Sequence, residues 1–155
     1  EGLGIACEDD ISGALSCNLA SVAYRDGELA IVCDIRYPVK IAGGFVMEGL
    51  QAAARSIDWE FEVLSHEPPL FVAANSDLVR TLLDAYEAVT GERGEPFAIG
   101  GGTYSRTMPN AVSFGGLFPG EEETAHRADE FVSVESLQKM THVYAEALAR
   151  LNETA

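Results

Sequence analysis

The sequence is poor in positive charge, in long apolar runs and in cysteine, and each shortage bears on function. Ten Lys and Arg stand against 25 Asp and Glu, a net charge of -15. The cationic surface that would neutralise the phosphates of nucleic acid or of an anionic membrane is missing, so neither is expected as a partner. No apolar stretch approaches the roughly 20 residues of a spanning helix. The opening Glu1-Gly-Leu-Gly-Ile-Ala-Cys7 has no basic region followed by an apolar one, so neither a signal peptide nor an anchor is read. Three cysteines, Cys7, Cys17 and Cys33, occur without Cys-x-x-Cys spacing, which argues against a metal knuckle or a disulfide framework and fits a reduced, cytoplasmic setting. An initiator Met is absent, as in a fragment or a processed product, and there is no internal repeat or low-complexity tract. What is present suffices for a core: 155 residues, 47% of them apolar, make one ordinary domain or two small ones.

The first part of the chain reads as strand, strand, helix, strand. Leu15 to Tyr24 and Leu29 to Arg36 flank Arg25-Asp-Gly-Glu28, and Asp-Gly between apolar stretches signals a hairpin. Phe45, Val46, Leu50, Ala53, Ala54 and Ile57 then recur three or four apart, which predicts an amphipathic helix between Gly44 and Asp58. Trp59 to Leu64 alternates and is expected to be a half-buried strand, ended by His66-Glu-Pro-Pro69. The order ββαβ is that of a ferredoxin-like half, a small antiparallel sheet covered by a helix. Two prolines mark a boundary, which gives expected domains of 1–72 and 73–155.

The second part reads αββα. Ser76-Asp77 caps a helix carrying Leu78, Leu82, Ala85 and Val89 and stopped by Gly91. Phe97 to Ile99 and Ala111 to Phe114 are expected as short buried strands. Ser133 caps a long last helix with a stripe of Leu137, Met140, Tyr144, Leu148 and Leu151. The fold class expected from both parts is mixed α/β, of the α+β kind.

Three places could carry chemistry. The run Gly100-Gly101-Gly102-Thr103 can bring backbone N–H groups close to an anion, or can be a tight structural turn. It is neither a dinucleotide fingerprint nor a phosphate loop. His126, in a polar loop before the last helix, could ligate a metal or be an ordinary surface histidine, and no second His stands at metal-ligand spacing. Glu121 to Glu123 read as a solvated loop rather than as ligands. Arg36 ends an apolar strand and could grip a carboxylate bidentately; Asp34, on the same strand face, offers a surface pair instead.

Taken together, Ala98-Ile-Gly-Gly-Gly-Thr-Tyr-Ser-Arg106, Met108-Pro-Asn110, Phe114-Gly-Gly-Leu-Phe-Pro-Gly-Glu-Glu-Glu-Thr-Ala-His126 and Glu130 closely resemble the C-terminal segment of bacterial Xaa-His dipeptidases of the PepV type, a branch of the aminoacylase/carnosinase metallopeptidases. The upstream Gly-Ala-Leu-Ser-Cys-Asn-Leu strand and Asp34-Ile-Arg36-Tyr-Pro resemble the second half of that family's lid domain. The resemblance implies a lid half followed by a piece of a zinc-exopeptidase catalytic domain. It further implies that His126 is the last metal ligand, that Glu130 is its orienting partner, that Arg36 holds the C-terminal carboxylate of a dipeptide, and that Gly101, Gly102 and Thr103 line the substrate subsite. The intact enzyme would bind two zinc ions and attack the peptide with zinc-bound hydroxide. The family's His-x-Asp motif, its bridging Asp and its Glu-Glu pair are not in this sequence. The chain alone is therefore expected to be inactive, to hold zinc poorly, to need the N-terminal half of its own protein and to self-associate without it. A carboxypeptidase or deacylase of the same superfamily, and a stand-alone non-catalytic ligand-binding or dimerisation module, are the alternatives.

Overall fold

The computed structural model describes residues 2–153. The chain divides into two compact units, one ending at Phe71 and including Ala98–Gly102, the other made of Val72–Phe97 and the chain from Thr103 onward. The fold is mixed α/β, with two small antiparallel sheets and three α-helices among the described residues. Among the described residues no helix is long and apolar enough to cross a membrane.

In the first unit, β1 (Glu8–Asp9) pairs with β2 (Gly13–Ala14), and β3 (Ser16–Arg25) pairs with β4 (Glu28–Arg36). The first ladder escaped the sequence reading because its strands are only two residues long. Its turn is built by the Asp9 carboxylate, which accepts from the Ile11 N–H at 2.9 Å, from the Ser12 N–H and from the Ser12 hydroxyl at 3.0 Å. The other Asp9 oxygen accepts from the Lys40 N–H at 2.9 Å, while the Ser12 hydroxyl accepts from the Val39 N–H at 3.0 Å, so the turn is bolted to the segment after β4. Lys40 also pairs with Asp10.

The β3–β4 hairpin forms as expected around Asp26-Gly27, both with positive φ. Its two strands are not in phase. On β4 Leu29, Ile31, Cys33 and Ile35 fall on alternate positions, whereas on β3 Cys17, Leu19, Val22 and Tyr24 do so only with a slip of one between 19 and 22. A bulge between Leu19 and Ser21 absorbs that slip. It keeps all eight residues on one face, as the pleat demands. This face stays largely uncovered: Leu19 is 59% and Val22 is 55% exposed.

Helix α1 (Gly43–Ser56) follows the predicted span and buries Val46. Ile5, also buried, lies across the helix at Gly49, where any Cβ would come within 2.6 Å of the isoleucine's Cγ2; only glycine permits that approach. The strand expected at Trp59–Leu64 is absent. The Trp59 N–H donates to the Ala54 carbonyl at 3.0 Å, spending its first donor on the end of α1, and the following residues pair with neither two-stranded sheet. Trp59, Val63 and Leu64 remain exposed.

In the second unit α2 (Asp77–Thr90) and α3 (Val134–Glu153) pack together. All three predicted caps are present. Ser76 accepts from the Val79 N–H at 3.3 Å, Gly91 ends α2 in the left-handed conformation, and Ser133 accepts from the Ser136 N–H at 3.0 Å. The core is Leu82, Ala85 and Ala147, flanked by Leu78, Val112, Phe114 and Leu151. The stripe expected on α3 is corrected in part: Ser136, Val143 and Ala147 are its buried positions, Met140 is half-buried and Leu151 packs on the core, while Leu137, Tyr144 and Leu148 are exposed. A 20-residue helix with apolar residues on two faces cannot show from its own sequence which face meets α2.

The two short strands expected in this part are also absent. Phe97 and Ile99 are exposed. Val112 and Phe114 pack as side chains on the helix pair, and the Phe114 carbonyl is taken by the Tyr144 hydroxyl at 2.9 Å rather than by a neighbouring strand. Gly115, at φ 91°, makes that contact possible, since a Cβ would stand 2.3 Å from the tyrosine oxygen.

Candidate functional site

Arg36 is the last residue of β4, and its side chain is 48% exposed. One guanidinium nitrogen donates to the Gly100 carbonyl and another to the Asp34 carboxylate at 3.3 Å. The structure thus brings together two features that the sequence places 64 residues apart, the strand arginine and the glycine-rich turn. It also shows that the Asp34 pairing is real. The two readings are compatible, because a half-exposed ion pair contributes only about 0–1 kcal/mol and yields easily to a better carboxylate. These contacts use two of the five guanidinium donors. A Cβ at Gly100 would meet nothing within 4 Å, and one at Gly101 only the Ile99 side chain at 3.9 Å, so the turn presents bare backbone.

Thr103, which follows the turn, opens a single 3₁₀ turn, Tyr104–Thr107. Its hydroxyl lies 2.5 Å from that of Ser105 and accepts from that of Ser113 at 2.7 Å. Ser105 is buried and Ser113 lies 3.4 Å from it, so three hydroxyls form a closed cluster. The sequence reading named Thr103 and missed both serines. Ser105 stands two residues on, a spacing typical of local side-chain bonding, but Ser113 has no local signal.

His126 lies in a tight loop, exposed, with φ 63°, and Asp129 beside it has φ 61°. The Glu130 carboxylate accepts from the backbone N–H of His126 at 3.1 Å, which fixes the loop at its main chain. Glu130, expected as the orienting partner of His126, is bonded here to its main chain. Thr124 closes the loop from the other side by bonding both the N–H and the carbonyl of Phe131. The acidic run before it is not simply solvated. Glu121 accepts from the Phe118 N–H at 2.7 Å and from the Ser136 hydroxyl, and these bonds hold its carboxyl below the usual range. Glu121 therefore braces the start of α3 and is not free to ligate.

A catalytic zinc site requires three protein ligands. Among the described residues no group of three His, Cys, Asp or Glu is placed to hold a metal ion. His126 alone does not fit a metal pair, and among the described residues nothing else completes one.

A profile described as peptidase family M20/M25/M40 matches residues 5–150. A Bacillus subtilis (strain 168) protein named Putative dipeptidase YtjP is 37% identical over 152 residues, covering 96% of this chain and 32% of its own length. A Staphylococcus epidermidis protein named Putative dipeptidase is 29% identical over 154 residues, covering 97% of this chain and 32% of its own. The chain spans about a third of the length of the curated relatives it matches.

Proposed function

The chain belongs to peptidase family M20/M25/M40, and from that premise we propose that it is the substrate-gripping part of a cytoplasmic zinc dipeptidase of the Xaa-His type. In this reading residues 1–72 are half of the lid and 73–155 are the C-terminal part of the catalytic domain. The N-terminal half of the same protein supplies the remaining metal ligands and the general base. Arg36 takes the C-terminal carboxylate of a dipeptide, Gly101, Gly102 and Thr103 line the subsite, His126 contributes one ligand to one of two zinc ions, and Glu130 holds the loop in which it sits. The chain alone is inactive.

The observation that carries this reading is Arg36, half exposed at a strand end with its guanidinium against the Gly100 carbonyl. A rigid strand fixes the base of the side chain, and a planar fork matches a carboxylate, so the substrate is oriented as well as bound. The uncovered apolar face of β3–β4 and the exposed face of α3 support the need for a missing half, and without it such faces favour self-association. The relatives' names support the dipeptide as substrate.

The test is Arg36→Ala in the chain joined to its N-terminal half, assayed on a dipeptide panel. Removing one partner of a desolvated charge pair costs roughly 2–5 kcal/mol, so kcat/KM should fall about 30-fold or more, with Arg36→Lys recovering only part. Unchanged hydrolysis by Arg36→Ala would leave only the Asp34 surface pair and remove the carboxylate role.

A further inference from the structure

The bulge in β3 has a chemical result besides its effect on the apolar face. From the turn, Arg25 pairs with Glu28 and Ser21 with Val32. Continued without interruption, that register would set Cys17 opposite Arg36, and Cys17 and Cys33 would point to opposite faces of the hairpin. The bulge shifts the lower half by one, so Cys17 pairs with Ile35 and Leu19 with Cys33. The two cysteines then become diagonal neighbours on one face. Both are exposed, and both are reduced.

We propose that Cys17 and Cys33 are a redox couple that closes reversibly to an intrachain disulfide across the hairpin, with a low-molecular-weight disulfide such as oxidised glutathione as the oxidant.

Sharing that face, the two thiols are neighbours across the hairpin. Partial burial, and the Cys33 thiol beside it, hold the Cys17 thiol above its ordinary value, so Cys17 keeps its proton. Cys33 is the first nucleophile. It loses its proton to solvent, its thiolate attacks one sulfur of the oxidant, and one glutathione thiolate leaves, giving a mixed disulfide on Cys33. Cys17 then loses its proton to solvent and attacks the Cys33 sulfur, expelling the second glutathione thiolate. Two electrons pass from the protein thiols to the oxidant, two protons go to solvent and the two expelled thiolates take up protons there. Diagonal strand neighbours have Cα atoms about 7–8 Å apart. A relaxed disulfide wants about 4.4–6.8 Å, so closing the bond shears or twists the hairpin locally. A bond made under such strain and exposed to solvent is easily reduced, which makes it a labile couple rather than a structural staple.

The 155-residue chain is incubated across ratios of oxidised to reduced glutathione, quenched with acid, alkylated and digested for peptide mass analysis. At the oxidising end Cys17 and Cys33 should leave the alkylated pool together and appear as one linked peptide pair, while Cys7 stays alkylated. Excess reduced glutathione should restore both thiols without denaturant. In Cys17→Ser the reaction should stop at a stable glutathione adduct on Cys33. The substitution is at an exposed position, and the unsubstituted chain gives the primary readout, so a folding defect cannot mask the answer. The proposal is overturned if both thiols stay alkylatable at the most oxidising ratio, if adducts persist on both without a link, or if the link joins two copies of the chain.

Discussion

In the second unit Leu82, Ala85 and Ala147 close against one another between two helices, with Leu78, Val112, Phe114 and Leu151 around them. In the first unit Leu19, Val22, Tyr24, Leu29 and Ile31 share one face of a hairpin and all remain exposed. The difference is one of geometry. A helix meets its neighbour along a stripe, so two helices can bury a core between them. A two-stranded ribbon pairs only its inward backbone groups and has nothing to lay against its apolar face, and two strands alone are marginal in water. The hairpin is thus specified by backbone pairing and the helix pair by side-chain packing.

The largest expected effect separates those two sources of stability. Leu82→Ala should destabilise the helix pair by about 3 kcal/mol, as is usual for a buried leucine. Ile31→Ala, on the uncovered hairpin face, should cost well under half of that. Urea unfolding followed by far-UV ellipticity for the helices, and by the fluorescence of Trp59 for the first unit, reads the two changes separately. Equal costs would mean that the hairpin face is covered in solution.

A smaller effect belongs to the caps. Ser76→Ala removes the acceptor for the Val79 N–H and should cost about 1 kcal/mol, seen in the same ellipticity transition and not in the Trp59 signal. A change in both signals would mean that the two units unfold together.

The smallest effect is confined to acid. Asp9 is somewhat penalised by burial, but the hydrogen bonds from Ser12, Lys40 and Ile11 outweigh this and lower its carboxyl from 3.8 to about 2. A lowered native value means that the unfolded chain binds the proton more tightly, so the Asp9 contribution is fully present above pH 3.8 and is lost as the pH falls toward 2. An acid titration of Trp59 fluorescence should fall less steeply through that window in Asp9→Asn than in the parent. Identical slopes would show that the Asp9 turn does not help to hold the first unit.

Much of this was legible in local signals. Asp26-Gly27 marked the hairpin, Ser76 and Gly91 bracketed α2, and Ser133 marked the start of α3, because turns and caps are decided within a few residues. The alternation of Trp59–Leu64 looked equally local and failed, since a strand needs a neighbour and the Trp59 N–H had already gone to Ala54. On the candidate site, Arg36, the glycine turn and His126 were found by residue type and family likeness. That Arg36 reaches Gly100, that Ser105 and Ser113 join Thr103, and that Glu130 bonds the main chain of His126 were not.

By itself the sequence determined the α+β class, the hairpin, the three helices with the caps of α2 and α3, the acidic surface and the family, all of which depend on composition, periodicity or short motifs. Only the tertiary structure decided which face of α3 is buried, whether 59–64 and 111–114 form ladders, and where the slip in β3 is absorbed. Each of these turns on a partner distant in the chain. Leu137 and Val143 are both apolar residues of one helix, and only the packing around α3 makes Val143 the buried one. Cys17 and Cys33 likewise share a face only because one bulged residue resets the register between them.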